Sequence, residues 1–153
     1  MKHLSCRPFV LAALAVLALA SAGCESITTR SYDLTIQNHL SRPITLFLTK
    51  DGPPDEPGWQ SPEELAANAI SLDHPHDGQI VGPGQTMVFD NIQGQFRQGT
   101  TAILRVYEKT GRLEDIAALS PGNPERTDVI LVPGVNNIVI DHDQFGLTAQ
   151  RQE

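Results

Sequence analysis

The chain has 153 residues, 19% of them charged and 5% aromatic, with a formal net charge of −7. That length suits one domain with a core of its own. The acidic balance makes it a poor partner for nucleic acid.

The N-terminus has the three parts of a secretory signal. Lys2 and Arg7 supply positive charge, residues 9–20 form an unbroken apolar run, and small residues close it. The run is shorter than the roughly 20 apolar residues that span a bilayer, so a transmembrane anchor is not expected. It ends on Ala22-Gly23-Cys24, which resembles the lipobox of bacterial lipoproteins; Ser21 stands where that family usually has leucine. The resemblance implies cleavage before Cys24, a diacylglyceryl group on its sulfur, and acylation of the new amine with a fatty chain such as palmitate. Ordinary cleavage near Ala20 or Ala22, giving a soluble secreted protein, is the alternative. Cysteine usage favours the lipid. Cys6 lies within the signal, so the mature chain keeps Cys24 alone, and a lone exported thiol is a reactive liability. Several acyl chains suffice for stable anchoring, at about 0.8 kcal/mol per buried methylene. Glu25 follows the cysteine, and by the family's sorting tendency the absence of aspartate there implies the outer membrane, facing the periplasm. Removing residues 1–23 takes two of the eleven basic residues and none of the eighteen acidic ones, which leaves nine against eighteen and a net charge of −9. Such a domain is repelled by anionic head groups, so attachment to the membrane is expected through Cys24.

Residues 24–31 read as the lipidated cysteine and a short polar tether, and residues 32–143 as an antiparallel β-sandwich. Residues 32–38 alternate, with Tyr32, Leu34 and Ile36 on the core side; residues 44–49 follow with Ile44, Leu46 and Leu48 inward, and the two pair as an antiparallel meander. Residues 50–79 break the rhythm. They open on a proline-rich turn region containing Trp59 and hold one short helix over residues 62–69. Ser61 caps it, Pro62 sits at its first position, and Glu64 completes a capping box. A third strand covers residues 86–92, a polar loop residues 93–99, and the clearest strand residues 100–107, with Ala102, Leu104 and Val106 inward. Residues 113–119 are read as a strand with a possible helical turn. Residues 128–132, continuously apolar after Asp128, read as a central strand buried on both faces, and residues 137–141 as the last strand. The tail, residues 144–153, reads as polar and frayed. Val81-Gly82-Pro83-Gly84 and Val132-Pro133-Gly134 each place Pro-Gly before a strand. A type II turn there splays a tight hairpin, so the chain is expected to cross between sheets at these points.

Candidate sites are few. His74 and His76 flank Pro75 between Asp73 and Asp77, and Asp141-His142-Asp143 repeats the type near the C-terminus. An extended His-x-His turns both imidazoles to one side, as zinc sites often begin. His74, His76 and His142 are therefore the candidate zinc ligands, against the blander reading of a polar loop of turn-forming residues. Trp59 is either a ligand or partner surface, for example for another envelope protein, or a plug for the open end of the sandwich. The chain has no Gly-x-Ser-x-Gly, phosphate-binding Gly-x4-Gly-Lys, His-Glu-x-x-His or Cys-x-x-Cys pattern. The reading is a non-catalytic, lipid-anchored envelope protein whose sandwich serves binding, assembly or structure. A metal-binding protein or metal-dependent enzyme using the histidine loop is the alternative.

Overall fold

The computed structural model describes residues 26–68 and 78–152. In chain order the elements are β1 (Thr28–Asn38), β2 (Ile44–Lys50), α1 (Pro62–Asn68), β3 (Gln79–Val81), β4 (Thr86–Phe96), β5 (Ala102–Tyr107), α2 (Leu113–Ala117), β6 (Arg126–Ile130), β7 (Gly134–Asp143) and β8 (Gly146–Gln152). They build two four-stranded sheets, β4-β1-β7-β8 and β3-β2-β5-β6, with one parallel pair, β1 with β7. The chain is thus an all-β sandwich with a short helix in the insertion between β2 and β3. The inward residues are those the alternation marks: Tyr32, Leu34 and Ile36 face Ile44, Leu46, Leu104 and Val106 across one core.

β1 and β2 do not pair. They lie in opposite sheets, and the turn between them crosses the core edge. Alternation is blind to this difference, because strands side by side and strands face to face turn the same residues inward. Asn38 directs the crossing. It is fully buried; its Oδ1 accepts from the Leu40 N–H at 3.0 Å, and its Nδ2 reaches the carbonyls of Arg42, Val81 and Gly82 at 2.9–3.1 Å. One amide therefore ties the β1–β2 turn to the β3–β4 crossover. Asn136 braces the β6–β7 crossover from within. Also fully buried, it accepts from the Val132 N–H at 3.1 Å and donates to the carbonyls of Val132 and Gly134 at 2.8 and 3.0 Å. Both Pro-Gly sequences carry the chain between sheets, as expected.

Other boundaries move for identifiable reasons. β4 runs on to Phe96, where a loop was expected from residue 93. Tyr32 pairs with Ile92 and Leu34 with Phe89, so Asp90 and Asn91 together oppose Asp33. This β-bulge, with Asn91 at φ 54°, shifts the inward series from Met87 and Phe89 to Ile92, Gly94 and Phe96 and hides the alternation. β1 starts at Thr28, so half of the expected tether is strand, held by its ladder to residues 93–96 and by Arg30 Nη1 donating to the Thr100 carbonyl at 2.7 Å. The expected frayed tail is β8, paired along β7. Residues 113–117 are helix α2, not strand.

β6 is an edge strand, not a central one. Val129 and Leu131 point inward, while Ile130 and Val132 are exposed. The strands buried on both faces are β2 and β5, because α1 and α2 lie on the outer face of their sheet. There Phe47 and Tyr107 pack on Leu113, Ile116 and Leu119, with Leu65 and Ala66 against them. The capping box of α1 forms as expected: the Glu64 N–H donates to Ser61 Oγ at 3.2 Å, and the Ser61 N–H to Glu64 Oε2 at 2.6 Å.

Both tyrosines of the chain are buried, Tyr32 at 1% and Tyr107 at 0% exposure. Burial pushes both phenols up, Tyr107 to about 12, with neighbouring arginines offsetting only part of the effect. The native chain therefore holds these protons more tightly than the unfolded chain. The resulting stability is complete below the ordinary phenol value of 10.0 and is lost as pH rises towards 12, about 3 kcal/mol for Tyr107. An alkaline titration followed by tyrosinate absorbance should show less than half of the full signal at pH 10.0, with Tyr107 still protonated, then a cooperative rise together with unfolding. A gradual, half-complete signal at that pH would mean that the phenols are solvated.

Candidate functional site

The sandwich is closed along one side and open along the other. β6 and β8 meet where the two sheets approach. On the opposite side β3 pairs only with Ile44, Thr45 and Leu46, whereas β4 runs for eleven residues. Beyond Leu46 no strand among the described residues covers the space between the sheets. A cavity of about 390 Å³ opens there, lined mainly by Leu46, Leu48, Leu104, Phe89, Ile92 and Leu65, with the amides of Gln60 and Gln79. Its volume lies at the lower end for small-molecule sites, and its lining suits an apolar group with one hydrogen-bonding end.

Beside it the proline-rich loop is fastened down. Lys50 ends β2 with its side chain 3% exposed, and its ammonium donates to the Pro54 carbonyl at 2.7 Å, to Glu56 Oε2 at 2.5 Å and to the Gln95 carbonyl at 2.9 Å. All three protons are thus used. Burial pushes the Glu56 carboxyl up, but the Lys50 ammonium and the Gln95 N–H together outweigh it and hold the group below the usual carboxylate range. The smaller chamber here, about 210 Å³, is polar and lined by Lys50, Pro53, Pro54, Glu56, Trp59 and Glu64. Trp59 is 5% exposed and packs edge-on against Tyr32 and Phe96, with Nε1 donating to the Gln93 carbonyl at 3.0 Å. It plugs the end of the sandwich, the second of its two readings, and what surface it keeps lines the smaller chamber.

Cys24, His74 and His76 lie outside the described residues. His142 is on β7, at the far end of the sandwich. Its Nε2 lies 2.5 Å from Glu108 Oε2, and Arg42 Nε approaches the other oxygen at 2.7 Å. The carboxylate is 4% exposed and flanked by these two bases, so His142 is committed to joining the end of β5 to β7. Among the described residues no hydroxyl or thiol donates to that ring, and no three His, Cys, Asp or Glu side chains converge as a metal site needs. Sequence reasoning missed the inter-sheet cavity. Its one available signal was the shortness of the Gln79–Val81 apolar run beside the much longer strand that follows.

The chain matches no family model and no curated protein.

Proposed function

We propose that this chain is a lipid-anchored protein of the bacterial cell envelope, held through acyl chains on Cys24 at the outer membrane and facing the periplasm. Its sandwich serves binding or assembly rather than catalysis. The observation that carries the reading is Ala22-Gly23-Cys24 closing a signal-type segment, with β1 starting at Thr28. Four residue steps of at most about 3.6 Å each keep the first residue of β1 within roughly 14 Å of the Cys24 backbone. The charged groups of the domain support the non-catalytic part: Lys50, Arg126 and Glu108 are each consumed by internal partners. The apolar inter-sheet cavity is where a small ligand would enter.

Cell fractionation tests the anchor. The native chain should sediment with membranes, and its intact mass should exceed that of a chain starting at Cys24 by the acyl groups. Cys24→Ala should appear in the soluble periplasmic fraction. Membrane-bound Cys24→Ala, or a bare N-terminus by mass, would remove the reading.

A further inference from the structure

We infer that the β6–β7 crossover, residues 130–135, is a membrane-contact edge that seats the sandwich in the lipid interface beside its anchor. This rests on the lipid-anchored reading above. The strand directions bring the two together. β1 enters at the end of the sandwich that holds the crossover: Gly134 pairs with Tyr32, Val135 with Asp33, and the Leu131 N–H donates to the Ala102 carbonyl at 2.9 Å. The stretch that carries the anchor, residues 1–25, therefore joins the described chain one strand away from the crossover.

The surface at this end differs from the rest. Among the described residues, four of the seven exposed large apolar side chains lie here: Ile27 at 50%, Ile130 at 65%, Val132 at 39% and Val135 at 66%. Of the other three, Ile80 and Phe145 lie towards the far end and Val88 midway along the sheet, opposite Thr35. From residue 129 to residue 140 the chain has no charged side chain, in a domain whose overall charge would otherwise keep it away from lipid. Two acids adjoin the crossover: Asp128, which grips Arg126 at 2.9 Å, and Asp33, beside Val135 in the β1–β7 ladder, whose Oδ1 accepts the Asn91 N–H at 2.7 Å. On the other flank Arg151 is exposed on β8, opposite Ile138. The exposed acids at this end are Asp51 and Asp55 on the β2–α1 loop and Asp90 in the β4 bulge, so the crossover corner and not the whole end meets the membrane. The edge is also preformed. Buried Asn136 holds Val132 and Gly134, so contact costs no ordering of the loop.

The test places a tryptophan at the edge of the lipidated, full-length protein and reconstitutes it in phosphatidylcholine vesicles with brominated acyl chains. Val132→Trp should be quenched, since an apolar edge sits about 5–10 Å into the headgroup–acyl boundary. Val88→Trp, on the outer face of β4, should not be quenched. The shared Trp59 signal gives the baseline. Val135→Trp is the second edge variant and should follow Val132→Trp. Equal quenching at the edge and at position 88, or none at either with the protein still on the vesicles, overturns the seating and leaves the anchor standing. Protein that never associates with membranes removes both.

Discussion

Replacing Trp59 with alanine should destabilise the domain by about 3–5 kcal/mol, the usual range for a large aromatic removed from a core. The ring is 5% exposed and sits between Tyr32 and Phe96, with ring centroids 5.7 and 5.3 Å away. Its indole N–H also holds the Gln93 carbonyl. The fit is close: a Cβ added to Gly94 would come within 2.8 Å of the indole, so β4 bears a glycine where the plug rests on it. Residues 52–58 depend on that plug, because Lys50 and Glu56 pin the loop beside it. Urea unfolding followed by far-UV circular dichroism measures the loss directly. Trp59→Phe should cost much less, on the order of 1 kcal/mol for the lost hydrogen bond and part of the ring. A Trp59→Ala loss below about 1 kcal/mol would show that the loop packs loosely and that Trp59 is not core.

Arg126→Ala should cost about 3 kcal/mol, the low end of the range for breaking a buried ion pair. The guanidinium is 2% exposed. Nε and Nη2 grip Asp128 at 3.0 and 2.9 Å, while Nη1 reaches Glu63 at 3.0 Å and the Leu119 carbonyl at 2.8 Å. Glu63 also takes Arg105 at 2.9 Å, so one carboxylate at the start of α1 clasps two strands of the sheet. The low end applies because Glu63 and Asp128 are 40% and 34% exposed and can rehydrate once the arginine is gone. The damage should be local. Amide exchange should rise in α1 and α2 before it rises in β1 or β7. Arg126→Lys should recover little, since an ammonium cannot grip Asp128 with two parallel bonds. Uniform loss of protection across both sheets would show that the helices are not fastened by this cluster.

How legible each part was follows from the range of the interaction that sets it. The capping box at Ser61 and Glu64 spans three residues, and it forms as written. Alternation over residues 32–36 and 102–106 is equally local, and both strands bury the expected side chains. The bulge at Asn91 defeated a period-two reading because one residue of positive φ exchanges the two faces of β4. β8 was invisible because its only apolar side chains are Leu147 and the small Ala149, too few to mark a strand. Pairing with β7 orders them, and no apolar pattern does.

The apolar run after Asp128 was misread because continuous hydrophobicity implies burial without saying what provides it. Val129 and Leu131 found the core, while Ile130 and Val132 were left on the uncovered outward side of an edge strand. The fully covered strands are β2 and β5, and what covers them is α1 and α2, brought in from elsewhere in the chain. His142 pairs with Glu108, 34 residues away, and no local pattern marks such a partner.

The amino-acid order alone decided which side chains go inward, where the helix of the insertion starts, and where the chain turns between sheets. These depend on backbone preferences and side-chain period over a few residues. Only the tertiary structure decided which strands are neighbours, which edge stays open, and which apolar residues remain on the surface at the end where β1 begins. Those depend on contacts between segments far apart in the chain, whose free energies compete only after the local pieces exist.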